Sequence, residues 1–179
     1  MRQALEAHRE DVVGKRGLVL GSERPWIEIL GLNLGAAEVW TMEYATIEST
    51  HPQLITRTNR ELAVSFLEGS LPEFDFVVSF SSIEHSGLGR YGDALNPDGD
   101  AEAMRQARCF LKPGGLMLLG FPMTCREDGF IEFNAHRVYG NERLRYITQG
   151  FATLGWENGG CEATNARSQQ PLVALRKQG

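Results

Sequence analysis

Short apolar runs alternate along this chain with stretches whose apolar positions recur every three or four residues. Gly17-Leu-Val-Leu-Gly21 reads as a buried strand ending in glycine. Pro25 then sits well in the first turn of a helix, with Trp26, Ile27, Leu30 and Leu34 on one face. Gly35 stands where such a helix stops. Glu38 to Glu43 is a second strand and Leu54 to Thr56 a short third. Asn59 is placed to cap a helix carrying Leu62, Phe66 and Leu67, which Gly69 ends. Phe74-Asp-Phe-Val-Val-Ser-Phe80 is nearly all apolar, as a central parallel strand is. Ser86 to Asp100 shows no periodicity. Asp100 is placed to cap a helix with Met104, Ala107 and Leu111 on its face, and Lys112-Pro-Gly-Gly115 turns sharply into the strand Leu116 to Phe121. A helix from Asn141 to Gly150 and strands at Phe151 to Trp156 and Pro171 to Arg176 complete the pattern.

Strands alternating with helices, joined by connections too long for hairpins, predict a parallel sheet covered on both faces. The last two strands lie close in sequence and are expected to pair antiparallel at one edge. The fold class is therefore α/β, a doubly wound, mostly parallel Rossmann-like sheet with a reversed edge strand. The 179 residues fit one domain, 1–179.

Composition narrows the function. Hydrophobic residues make up 42% and charged residues 23%, the balance of a globular domain. The net charge of −5 argues against a phosphate-backbone binder and against an anionic membrane surface. Met1 to Arg16 mixes charges throughout and offers no apolar signal segment. Cys109, Cys125 and Cys161 form no C-x-x-C pair, so neither a zinc knuckle nor a disulfide framework is expected. Reduced thiols in a cytoplasmic protein, with no metal, are the plain reading.

In doubly wound sheets ligands bind beyond the carboxyl ends of the strands, so the residues there are the candidates. Gly21 permits a tight turn, and the helix behind it offers free amides to an anion. An ordinary strand–helix turn with Ser22 as cap is the alternative. G-x-G-x-x-G and G-x-x-x-x-G-K-[ST] are both absent. Glu43 ends the second strand, where a carboxylate can accept both hydroxyls of a ribose, and Tyr44 beside it can stack on a base. A solvated glutamate at a strand end is equally compatible with the pattern. After the fourth strand come Glu84 and His85, then the irregular loop with Arg90, Tyr91 and Asp93 and four glycines. His85 is a candidate general base. Glu84 and His85 could instead hold the loop's shape by hydrogen bonds. Phe133 to Tyr139 brings His136, Arg137 and Tyr139 to the same end of the sheet, either facing the site or serving as a packing segment. His8 and His51 sit in polar surroundings and are expected at the surface.

These residues together resemble class I S-adenosylmethionine-dependent methyltransferases. The resemblance rests on the turn at Gly21, the acid at Glu43, the Phe-Asp-Phe-Val-Val strand at 74–78 and Leu-Lys-Pro-Gly-Gly at 111–115. Three longer stretches, 19–26, 79–93 and 133–140, are similar to a methyltransferase-like group, domain-of-unknown-function family 268. The resemblance implies S-adenosylmethionine as cofactor. Gly21 and Ser22 would lie against its methionine part, Glu43 would hold the ribose, Tyr44 would flank the adenine, and Ser79, Phe80 and Ser81 would form the pocket floor. His85 would be the first choice of base and His136 the second, with Glu84 beside them. Arg90, Tyr91, Asp93, Arg137 and Tyr139 would meet the substrate, and the loop 86–100 would close over it.

The expected function is methyl transfer to an oxygen or nitrogen of a small molecule, bound within the domain or at the subunit interface of a homodimer. Two alternatives stay open. Ser22-Glu-Arg24, where the family's later glycines usually stand, suits a non-catalytic binding module with the same fold. The polar loop with His85, Asp93 and His136 also suits a nucleotide-sugar or polysaccharide-pathway enzyme.

Overall fold

A computed structural model describes residues 1–161 and 170–179. The chain runs α1 (Arg2–Ala7), β1 (Arg16–Leu20), α2 (Trp26–Leu34), β2 (Glu38–Glu43), β3 (Leu54–Thr58), α3 (Asn59–Leu67), β4 (Phe74–Phe80), α4 (Gly99–Phe110), β5 (Leu111–Gly120), β6 (Phe130–Glu132), β7 (His136–Val138), α5 (Asn141–Ile147), β8 (Phe151–Trp156) and β9 (Leu172–Lys177). Seven strands form one sheet in the order β3-β2-β1-β4-β5-β9-β8. The order reverses between β1 and β4, and that is the switch point at which a ligand crevice opens. Pairing is parallel from β3 to β5. β9 runs antiparallel to both β5 and β8, so the reversed strand lies one place in from the edge and β8 forms the edge itself.

The alternation of side chains along a strand builds a core on each face. Leu18 and Leu20 of β1, with Val77 and Met117, pack against Leu62 of α3, Met104 and Ala107 of α4 and Ile147 of α5. Val19, Val78, Leu116 and Leu118 face the other way, onto Ala4 and Leu5 of α1 and Ile27 of α2. At the amino ends of the strands the Asp75 carboxylate accepts from the Arg16 amide at 3.0 Å and from Lys112 Nζ at 2.7 Å. This ties together the starts of β1, β4 and β5 and leaves the opposite ends to the loops.

Three caps differ from expectation. Thr58, not Asn59, caps α3, because its hydroxyl accepts the Glu61 amide while Glu61 reaches back to the Thr58 amide. Asp100 does not cap α4. It lies inside the first turn, fully buried, where it accepts from Arg143 at 2.5 Å and faces Arg137 at 3.7 Å. α5 begins after Gly140, and the Asn141 side chain turns to Glu127 instead. The polar stretch before α5 also forms a short antiparallel hairpin, β6–β7, whose strands are too short to show a period.

The cysteines correct the reading of reduced thiols: Cys125 and Cys161 form a disulfide, with Cα atoms 5.0 Å apart. Their separation of 36 residues hides the fact that the segment after β5 and the one after β8 meet at one edge. Cys109 is free and exposed. Among the described residues no helix is long and apolar enough to cross a membrane.

Candidate active site

Beyond the carboxyl ends of β1, β2 and β4 the chain leaves an open cavity of about 680 Å³, within the size range of small-molecule sites. Gly21 makes one wall. Its amide donates to the Met42 carbonyl at 2.9 Å as the last rung between β1 and β2, and its φ of 69° then turns the chain. A Cβ there would collide with Ser82 Oγ, so only glycine lets the β1 turn and the segment after β4 approach this closely. Glu43 and Tyr44 lie across from it. Among the described residues no hydrogen bond or ion pair engages the Glu43 carboxylate, which leaves it free for a ligand in the cavity. The far end runs between α3 and α4, past Ala63, Phe66 and Phe110, and is mostly apolar, with Asn59, Glu102, Arg105 and Gln106 also in the lining.

A second pocket of about 140 Å³ adjoins the first. The two share Gly21, Glu43, Tyr44, Ser82, Ser86 and Asp93, and the smaller adds Glu23, Ser81, His85 and Tyr91. His85 sits in a single helical turn, Ile83–His85, immediately after β4. Its Nδ1 lies 2.8 Å from the Ala135 carbonyl. A carbonyl can only accept, so Nδ1 carries the proton and Nε2 keeps its lone pair. Burial pushes the His85 pKa below the usual histidine value. The Ala135 bond opposes this, while His136 and Arg90 reinforce it. The imidazole is therefore neutral at pH 7 and ready to accept a proton.

Glu84 is fully buried behind it, with Oε1 3.9 Å from His85 Nε2. Among the described residues nothing completes a hydrogen bond to either carboxylate oxygen. Burial raises its pKa to about 7, against a partial pull from the nearby amides of Glu84 and Ser82 and the Ser81 hydroxyl. Asp93 behaves oppositely. Burial opposes its ionisation, but nearby backbone amides, Gly87 at 2.6 Å among them, outweigh it and hold its carboxyl below the ordinary range. Tyr44 feels this charge, for burial first and then Asp93 and Glu43 raise its phenol pKa.

Several residues read as ligand contacts are placed elsewhere. Ser22 is buried and turned inward, its one hydroxyl proton shared between the Arg24 carbonyl at 2.7 Å and Glu28 at 3.1 Å. Glu28 also accepts from Thr41 at 2.6 Å, so this serine belongs to a buried polar cluster behind the turn. Ser79 is fully buried within β4, and Phe80 packs edge-on to Trp26 beside Gly120. Of that trio only Ser81 reaches the pocket. Arg90 lies at the rim, its guanidinium on the Asn134 carbonyl and 5.8 Å from the Tyr91 ring centroid. His136 stands edge-on to His85 at 5.8 Å with Nε2 3.6 Å from Glu132, outside both pocket linings. Tyr139 is buried against Phe121 at 5.0 Å.

Arg137 is also buried, and its guanidinium is spent on the loop after β4. It donates to the carbonyls of Glu84, Ser86, Asn96 and Pro97 at 2.6–3.4 Å. Arg143 adds a bond to the Pro97 carbonyl at 2.8 Å. At Gly87, φ 77°, a Cβ would strike the Asn96 carbonyl, so the two limbs of the loop touch. The loop expected to close as a lid is thus fastened at its neck, and only its outer part, about Leu88 to Ala94, is left free of the clamp.

The sequence offered weak signals for what it did not reveal. Glu28 interrupts an apolar helical face, the usual trace of a buried partnered acid. Ser82 and Ser86 flank residues already singled out. The apolar groove of Phe66 and Phe110 could not be separated from ordinary core positions.

Among solved structures, an S-adenosylmethionine-dependent methyltransferase from Mesorhizobium loti is similar to this chain with a TM-score of 0.61 at 15% identity, over 97% of this chain and 96% of that one. The Burkholderia thailandensis 1,6-didemethyltoxoflavin-N1-methyltransferase, solved with 1,6-didemethyltoxoflavin and S-adenosylhomocysteine bound, gives 0.70 at 16% identity, over 99% and 77%. The [4+2]-cyclase SpnF gives 0.66 at 14%, over 98% and 80%. Likeness at these identities establishes the fold, and fold alone does not choose between such chemistries. No curated protein matches the sequence significantly. Residues 14–174 match a family model across most of the chain, and the protein belongs to the family described as Caenorhabditis protein of unknown function, DUF268.

Proposed function

We propose that the chain binds S-adenosylmethionine in the larger cavity and transfers a methyl group to an oxygen or nitrogen of a small molecule seated in the adjoining pocket. The observation that carries this reading is the unengaged Glu43 carboxylate, facing across the β1–β2 crevice from the tight turn at Gly21. The residues fit the cofactor: a carboxylate for ribose hydroxyls, an uncrowded backbone turn and an apolar groove in one continuous space. Bound there, the cofactor would supply an electrophilic methyl group.

The chain's own part is positioning and proton removal. Glu43 would accept from the ribose hydroxyls, and Tyr44 would flank the base. The Gly21 turn would let backbone come close to the amino-acid end. His85 Nε2 would take the acceptor's proton, while the Ala135 carbonyl keeps the ring in the correct tautomer. Holding acceptor and methyl donor in line within two contiguous pockets supplies much of the acceleration such reactions need.

Calorimetric titration with S-adenosylmethionine and S-adenosylhomocysteine tests this directly. Saturable binding is expected, weakened about tenfold or more in Glu43→Ala, because a charge-assisted hydrogen bond is lost. No binding at about millimolar ligand, equivalent to less than about 4 kcal/mol of affinity, would remove the reading. A non-catalytic binding module has one observation in its favour: Ser22 is committed to Glu28 and Arg24 and offers nothing to the methionine part. Cofactor binding unaffected by Glu43→Ala would favour that reading.

A further inference from the structure

The smaller pocket, taken as the acceptor end on the reading above, has a marked electrostatic character. Among the described residues its lining includes three carboxylic acids, Glu23, Glu43 and Asp93, and neither a lysine nor an arginine. Two tyrosines, Tyr44 and Tyr91, share that lining and are each about half exposed, at 54% and 51%. Arg90 stays at the rim beside Tyr91, where its guanidinium is held by the Asn134 carbonyl, and Arg137 lies behind the lining with its charge spent on the Glu84 and Ser86 carbonyls. His136 lies behind His85 and outside the lining.

Carboxylates beside aromatic rings are the chemistry that recognises an ammonium group. The same set repels phosphate and carboxylate, because unlike and like charges at such distances differ by several-fold to many-fold in affinity. We infer that the acceptor is a cationic small molecule, an amine whose ammonium group sits among Glu23, Asp93 and Tyr91 while a second group, hydroxyl or amine, meets His85. Phosphorylated and carboxylated acceptors, nucleotide sugars included, are disfavoured by the same field. The ammonium is an anchor and not the reacting group, since its nitrogen has no lone pair until it loses a proton.

Three phenols that share one ring and differ in the charge of the para substituent test this: tyramine as cation, 4-methylphenol as neutral form and 4-hydroxyphenylacetate as anion. Each is titrated into the labelled protein, with and without S-adenosylhomocysteine, and binding is read from the amide resonances of Gly21, Ser82 and Asp93. Tyramine is expected to bind about tenfold more tightly than 4-hydroxyphenylacetate, with 4-methylphenol between. Glu23→Lys, a change at an exposed side chain with no structural hydrogen bond, is expected to narrow that ratio roughly fivefold. The charge order persisting when S-adenosylhomocysteine fails to bind would support the inference while removing the cofactor reading. Equal binding of all three, preference for the anion, no binding by any, or a ratio unmoved by Glu23→Lys would overturn it.

Discussion

Replacing Glu84 with glutamine makes a test whose sign and size both follow from the site. The wild-type side chain is fully buried, and burial raises its pKa from 4.5 to about 7. The native state therefore binds more protons than the unfolded state between those values, and its stability falls as pH rises through that window. The difference between 4.5 and about 7 corresponds to about 3 kcal/mol, fully expressed above the upper value. Glutamine does not titrate. Its amide is buried in the same unbonded place, which shifts stability by a constant amount at every pH. The stability of Glu84→Gln relative to wild type should thus rise by about 3 kcal/mol between about pH 4 and pH 8, whatever the offset. Urea denaturation at fixed ionic strength, read across that range, measures it. His85 lies 3.9 Å away and titrates in the opposite sense, its lowered pKa adding stability as pH rises through the range just below 6.5. Repeating the pair in a His85→Gln background removes that neighbour. Parallel pH curves for wild type and Glu84→Gln would refute the picture of a buried, unpaired carboxyl beside the base.

Other perturbations probe the loop, the edge and the turn. Arg137→Met removes donors to four loop carbonyls and leaves buried Asp100 short of a partner, and should cost about 3–5 kcal/mol in chemical denaturation. A loss under about 1 kcal/mol would mean that the loop holds its shape without the clamp. Cys125→Ser opens a cross-link spanning 36 residues and should lower stability by about 3 kcal/mol, with reductant no longer shifting the melting temperature. Gly21→Ala forces a side chain into a left-handed turn against Ser82 and should cost about 1–3 kcal/mol while abolishing S-adenosylhomocysteine binding by calorimetry. Full-affinity binding in that variant would place the cofactor away from the turn.

The sheet was legible because its signal is local. A buried parallel strand is a short apolar run, and β4, with almost nothing polar in it, shows this at its clearest. The residues at strand ends followed from topology, which is why Gly21, Glu43, Tyr44, Ser81, His85, Tyr91 and Asp93 fall around one connected space. What the sequence hid depends on side-chain direction and on long-range partners. Ser22 is one position past Gly21 yet turns inward, because a buried glutamate six residues on competes for its hydroxyl. Arg137 looked like a substrate contact because an arginine in a polar cluster carries no mark of burial. Its partners are carbonyls 40 or more residues earlier. The Cys125–Cys161 bridge joins elements brought together only by the late placement of β9 between β5 and β8. Asp100 reads as a cap from its position, and only the return of α5 alongside α4 supplies the arginine that buries it.

A crystal structure with S-adenosylhomocysteine soaked or co-crystallised is the most direct measurement of the central claim. The account predicts ligand density in the cavity between Gly21 and the α3–α4 groove, with both ribose hydroxyls on the Glu43 carboxylate and the sulfur end open toward His85. Density elsewhere on the molecule, or a ribose turned away from Glu43, would contradict it.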